Sequence, residues 1–538
     1  MKNIQNNKRL FTRSLINRIA RLGMLLGVIA TLSSCFKDLG NYDYRELDKV
    51  VIDTANLDML SHYSLSRYEK LTLEPVVYFN GTRVTETSNV PVDYYWTIGI
   101  VGTGAGIVYR LDTLAKTIKL NVPIVQPAGT WTLMLVAKHR ETLVETYMKF
   151  AVTIEESITD GWMILYERNG DTDLGLIANN RIKKGYAEGT EKLFLDAYSS
   201  SNGERLSGKP VSFKHSVGGI GFAGGGDIIV ASEHDAAVVN LTFTKLYDFE
   251  ELFWTMPGGG KNLTFWRSGG SGGSAGGEVM INNDKVHRYV GGNRNLNKYQ
   301  DAYTGTYGKL APWVPDYLLS FDALVYDQTN TRFLGVATSG VKLDKFSTQV
   351  ANAPFDINNT GMQMVASDFG YSNYEYSLMK NGNTYALLVS DLYSTNIAST
   401  NIAKGNYNMS NCPDIANASS VSAGTLGTVF YYSAGNGVYL FRPGSGNPAT
   451  KVWEAPAGET VTCVRIQKYY YTLLVNAGML LNNNKIVYVA TWNESTQKGT
   501  VHQMVMDATN GAINNTADRS YTGFGKVKDM AWKWVLAM

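Results

Sequence analysis

The chain has 538 residues, 44% hydrophobic and 12% aromatic, with 49 Lys and Arg against 47 Asp and Glu. Six of the basic residues (Lys2, Lys8, Arg9, Arg13, Arg18 and Arg21) fall in the first 34 positions, where there is no acid, so the remainder carries 43 against 47 and is mildly acidic. That balance lacks the clustered positive face that nucleic acid demands, so no nucleic-acid partner is expected, and the length exceeds one ordinary core, so at least two domains are.

The basic start is followed by the apolar run Leu22-Gly-Met-Leu-Leu-Gly-Val-Ile-Ala-Thr-Leu32. A basic stretch and a short apolar stretch make a signal peptide over 1–34, and the run is about half the ~20 residues that a spanning helix needs. Leu32-Ser33-Ser34-Cys35 closes it and matches the lipobox of bacterial lipoproteins, which makes Cys35 the expected lipidation site. Two or three acyl chains at ~0.8 kcal/mol per buried CH₂ would anchor the chain to a membrane for good. Residues 35–48 are polar and short of aliphatics, and read as a tether.

Residues 49–157 show short alternating runs between turn residues, including Leu71–Tyr78, Val92–Ile98 and Trp131–Ala137. Period-two alternation marks half-buried strands, and about seven of them in ~100 residues predict an immunoglobulin-like sandwich with Tyr94-Tyr95-Trp96 on a middle strand. No cysteine pair staples this block. Cys412 and Cys463 lie far downstream, and Cys463 sits in the apolar Val461–Ile466, as a buried thiol would.

From residue 158 to 538 the chain is richer in Gly, Asn and Tyr, and hairpins are read at Gly427–Phe441 and Lys485–Met506. Apolar strand openings recur at 161, 226, 277, 323, 384, 428 and 486. Their mean spacing of about 54 residues approaches that of four-stranded propeller blades, so the whole chain reads as all-β, a sandwich followed by a seven-bladed β-propeller. Two or three stacked sandwiches are the rival architecture. The apolar end Gly523–Leu536 should close the ring by pairing beside Gly161-Trp162.

Catalytic signals are weak. Gly269-Gly-Ser271-Gly-Gly273 copies the hydrolase Gly-x-Ser-x-Gly pattern but lies in a glycine-rich loop with no helical pattern behind it. The six histidines form no metal-ligand pair, and Asn169–Asp173 is read as a hairpin turn rather than a calcium loop, so neither metal nor cofactor is expected. Aromatic residues in Gly-rich or irregular segments are better candidates, since flat rings beside polar loops suit sugars or peptide side chains: Trp254, Phe265, Trp266, Tyr303, Tyr307 and Trp313. Arg267, beside Trp266, could read a carboxylate.

The segment Ser33–Tyr44, the strand Gly129-Thr-Trp-Thr-Leu-Met-Leu-Val-Ala-Lys138, the run Phe150–Ile154 and the opening Thr159–Leu165 together resemble the PKD-like family lipoproteins of Bacteroidetes. The resemblance implies an outer-membrane protein, facing outward, that accompanies a SusC/SusD-type importer of oligosaccharides or oligopeptides. It implies ligand capture or docking without catalysis. A surface glycan or peptide hydrolase or lyase on the same scaffold is the alternative, and a purely structural subunit of the transporter complex is a third.

Overall fold

The structure, a computed structural model, describes residues 48–53, 62–67, 69–99, 111–126, 129–155, 161–182, 191–216, 227–268, 278–290, 293–316, 320–468, 481–514 and 516–533. The expected signal peptide, Cys35 and Ser271 lie outside these residues. The chain divides into two compact units, the first ending at Glu155 and the second beginning at Glu156.

Among the described residues of the first unit, ten strands form three sheets. A five-stranded sheet runs His62–Ser66, Glu145–Glu155, Gly129–His139, Val92–Gly99 and Leu111–Ala115. Its edge pair is parallel, Ala151 opposite His62, and its other pairs are antiparallel. A three-stranded sheet holds Val50–Asp53, Val76–Phe79 and Thr82–Val84, and a two-stranded one Lys70–Leu73 and Leu120–Pro123. Trp96 is fully buried among Ile98, Leu133, Leu135 and Phe150, and its indole N–H donates to the Ile118 carbonyl at 3.1 Å. The alternation in the sequence therefore located the core tryptophan. It undercounted the strands because several are only three to five residues long.

The second unit is a succession of small antiparallel sheets, seven among the described residues. Sheet 1 runs Lys526–Lys533, Gly161–Arg168, Asp171–Ala178 and Lys192–Phe194. Sheet 2 runs Pro210–Ser216, Asp227–Ser232, Ala236–Val239 and Lys245–Asp248, and sheet 3 Leu263–Ser268, Glu278–Asn282 and Lys285–Tyr289. Sheet 4 has Phe321–Asp327 and Arg332–Ala337, flanked by single bridges Leu310 to Asp327 and Gly335 to Asp344. Sheet 5 holds Gln363–Phe369, Glu375–Asn381, Thr384–Ser390 and Ala403–Asn408. Sheet 6 holds Ala418–Ala423, Phe430–Ala434, Gly437–Phe441 and Thr450–Glu454, and sheet 7 Glu459–Ile466, Ile486–Asn493, Lys498–Val505 and Arg519–Phe524. The one α-helix among the described residues is the six-residue Ala197–Asn202.

Apolar cores fill the spaces between sheets 2 and 3, 3 and 4, 4 and 5, 5 and 6, 6 and 7, and 7 and 1. The order returns to its start because the last strand joins the first sheet. Gly161 pairs with Lys533 and Trp162 with Trp532, the closure expected from the apolar C-terminal segment. Asn169 and Gly170, at φ 57° and 88°, form the tight turn between Gly161–Arg168 and Asp171–Ala178, so the oxygen-rich Asn169–Asp173 is a hairpin turn. Cys412 and Cys463 are buried free thiols.

Candidate functional site

The strands that lead sheets 3, 2, 1, 7, 6 and 5 lie side by side in that order, and they carry polar residues where most of the second strands are apolar. Serine hydroxyls link one sheet to the next. Ser212 Oγ accepts from the Trp266 N–H at 2.9 Å, Ser420 Oγ from Val464 N–H at 3.2 Å, and Ser422 Oγ from Ile466 N–H at 3.0 Å. Each satisfies a buried backbone donor that no ladder partner reaches.

Charged side chains on the same strands meet in one network. Lys214 Nζ lies 2.7 Å from Asp316, which Arg267 also contacts, and Arg267 reaches Asp529 at 3.6 Å. Arg465 Nε lies 2.7 Å from Asp529 and its Nη1 donates to the Val421 carbonyl at 2.7 Å. Lys468 Nζ is 2.5 Å from Asp368 and donates to the carbonyls of Ala423, at 2.7 Å, and Phe369. Several of these contacts skip a sheet: Lys214 of sheet 2 meets Asp316 just ahead of sheet 4, Arg267 of sheet 3 meets Asp529 of sheet 1, and Lys468, just past sheet 7, meets Asp368 of sheet 5. Side chains can bypass an intervening sheet only if the leading strands surround a common axis.

Burial in this network is costly for isolated charge, and the pairing decides the protonation states. Burial alone would raise the Asp316 carboxyl, but the Arg267 guanidinium and the Lys214 ammonium hold it well below the usual carboxylate range. Burial lowers the ammonium groups of Lys214 and Lys468, opposed by Asp316 and Asp368 respectively. Glu375 is different. Burial pushes it up to about 7 against a hydrogen bond from Ser367, with Asp368 raising it further and the Trp313 indole N–H, 3.0 Å from Oε1, lowering it. A carboxyl poised near neutrality that feels the field of one held ionised, Asp316, is an arrangement that can supply an acid and a base.

The structure separates the aromatic residues singled out in the sequence. Trp266 is fully buried, its N–H donated to the Tyr299 hydroxyl, whose own proton goes to Glu278 at 2.7 Å. Tyr303 is buried between sheets 3 and 4, with Phe265 and Tyr307 half-buried against the same core. Trp313 is buried between sheets 4 and 5. Trp266, Tyr303 and Trp313 are thus interior residues rather than an exposed binding face, because glycine-rich neighbours in sequence do not prevent a ring from turning into an inter-sheet core. Arg267 points to the axis and binds Asp316, an internal carboxylate. Trp254 stands on the surface, 71% exposed, with the Lys298 ammonium 5.9 Å from its ring centroid. The axial acids and lysines left no spacing signal in the sequence, since each comes from a different sheet. The one local clue is a charge inside an otherwise apolar strand, as in Val464-Arg465-Ile466.

A family model described as PKD-like family matches residues 35–210. No curated protein matches in sequence. Among solved structures, a quinonprotein alcohol dehydrogenase-like protein of Bacteroides thetaiotaomicron VPI-5482 aligns over 90% of this chain and 99% of its own at 11% identity, with a TM-score of 0.48. The β-propeller domain of Cps50 (Swd1) from Myceliophteria thermophila aligns over 50% of this chain and 91% of its own at 8% identity, with a TM-score of 0.30. From the sheet order and its closure, the second unit has a β-propeller-like fold, and residues 35–210 of the chain carry a PKD-like family domain.

Proposed function

We propose that this protein is a surface-anchored outer-membrane lipoprotein of Bacteroidetes, lipidated at Cys35. On this reading it acts without catalysis as a ligand-binding or accessory subunit of a SusC/SusD-type uptake complex for oligosaccharides or oligopeptides. Its first unit is an immunoglobulin-like sandwich serving as spacer, and its second a closed seven-bladed propeller. The parallel edge pair of Ala151 and His62 and the buried Trp96 support the sandwich; the seven sheets and the pairing of Gly161 with Lys533 support the propeller.

The observation that carries the non-catalytic reading is the charge pairing on the axis. Asp316, Asp368 and Asp529 are each held against a buried or half-buried cation, so the axis is assembled as a structural lock, with its carboxylates committed to Lys214, Lys468, Arg267 and Arg465. Two measurements test the reading. Purification from solubilised outer membrane should bring a large β-barrel transporter with the protein, and a panel of glycans and peptides should show binding without turnover.

The alternative, a surface hydrolase, has one observation in its favour: Glu375 near 7, with Asp316 and Asp368 acting on it electrostatically. A general acid and an ionised carboxylate are the pair glycoside hydrolysis needs. Turnover of any glycan with an apparent pKa near 7, lost in Glu375→Gln, would establish that reading in place of the first.

A further inference from the structure

Trp254 is not an isolated exposed ring. Phe253 forms a parallel bridge with Tyr299, and both side chains are buried. Phe253 and Tyr299 turn inward, their rings 5.3 Å apart, while Trp254 and Lys298 face outward together. Lys298 is fixed there by donating to the Glu251 carbonyl, and its ammonium stands 5.5 Å from the Tyr247 ring centroid and 5.9 Å from that of Trp254. The Tyr247 hydroxyl donates to Asn295 Oδ1 at 3.3 Å, which holds the second ring in place. The two segments that carry these side chains expose Glu251, Thr255, Asn293, Asn295 and Asn297, together with Leu246, Met256 and Leu296.

We propose that Tyr247 and Trp254, clamped about Lys298, form a platform for a neutral oligosaccharide. An exposed ring offers the apolar face of a pyranose a large contact with little loss of conformational freedom, while amides and hydroxyls at the rim match its equatorial hydroxyls. A protein-docking patch would be depleted in Lys and Glu, whereas here a lysine stands against both rings and Glu250 and Glu251 are exposed on the same segment. The nearby ammonium groups are already engaged: Lys245 is 2.8 Å from Asp248, Lys261 is 2.7 Å from Glu250, and Lys298 is held by the Glu251 backbone carbonyl and the two rings, so none of the three is set aside for an anionic sugar. This proposal rests on the ligand-binding reading above and names its site and ligand class.

The test is a panel of neutral and uronate-containing oligosaccharides and unrelated peptides, titrated by calorimetry into the full-length protein and into Trp254→Ala and Tyr247→Phe. Trp254 is exposed, so Trp254→Ala should keep the wild-type thermal midpoint. Its affinity for a neutral glycan should fall about tenfold or more, as loss of one stacking ring implies. Tyr247→Phe, which keeps the ring and loses the bond to Asn295, should lose less. Glycan binding that is indifferent to Trp254→Ala overturns the platform and leaves the binding reading standing. Binding of peptides or uronates, in preference to neutral glycans, that is sensitive to Trp254→Ala overturns the ligand class. Failure of every glycan to bind overturns the proposal outright, and co-purification with a transporter then judges the accessory reading separately.

Discussion

Lys468 and Asp368 show how single residues hold the axis. Both are buried, and Asp368 Oδ2 also accepts from the Ala423 N–H at 2.7 Å, so removing either charge strands the other in a low-dielectric site. Lys468→Ala should cost on the order of 3–5 kcal/mol, and Asp368→Asn placed on that background should recover part of the loss, as urea titrations of the single and double variants would read. Glu375 makes the opposite kind of contribution. Its folded-state pKa, about 7, lies above its ordinary 4.5, so between those values the folded chain binds more proton than the unfolded one. Stability from this group is complete below about 4.5 and is lost as pH rises through 7, a difference of order a few kcal/mol. The thermal midpoint should therefore fall from pH 5 to pH 8, and Glu375→Gln should flatten that slope; an unchanged slope would remove Glu375 as its source.

Among the elements, the second strand of each sheet is the one most legible from sequence. Gly161–Arg168 contains the buried apolar run Trp162–Tyr166, and Ile486–Asn493 the run Ile486–Ala490. Five of the seven openings read along the chain fall on or at the start of second strands, and the fourth, at Ala323, falls on Phe321–Asp327, the first of the two strands of sheet 4. The fifth, at Thr384, landed on the third strand of sheet 5 because the true second strand, Glu375–Asn381, carries the buried polar Glu375 and Ser377 and loses the apolar signal. The closing strand rests on a corner glycine. A Cβ on Gly525 would stand 1.9 Å from the Glu167 carbonyl oxygen, a backbone atom of the strand being joined. Gly525→Ala should destabilise by about 1–3 kcal/mol in thermal melts. Deleting the chain from Lys526 onward removes the partner of Gly161–Arg168 and should abolish cooperative unfolding; a truncated chain with the native midpoint would show that closure is dispensable.

For the molecule as a whole, the two units differ in how they bury apolar surface. Among the described residues, the first has one core, built around Trp96 and Phe150, and the second has cores at six successive sheet interfaces. The expectation of where this molecule resides comes from its first 35 residues. If Cys35 is the lipid site, Cys35→Ser should move the protein from the membrane pellet to the soluble fraction of fractionated cells and abolish incorporation of labelled palmitate. Retention in the pellet with full labelling would refute lipidation at that position.

What the sequence determined by itself was whatever is local in period. Alternation revealed strands, apolar runs revealed the buried second strands, a tight turn at Asn169-Gly170 set a hairpin, and a terminal apolar segment announced its pairing with residue 161. The axial network was decided by tertiary structure alone. Lys214, Arg267, Asp316, Asp368, Arg465, Lys468 and Asp529 span more than three hundred positions, and only the cyclic packing of sheets brings their charges within hydrogen-bond reach. The same packing took Trp266, Tyr303 and Trp313 into inter-sheet cores and left Trp254 outside, because which face of a strand meets a neighbouring sheet is a property of that neighbour and not of the strand's own residues.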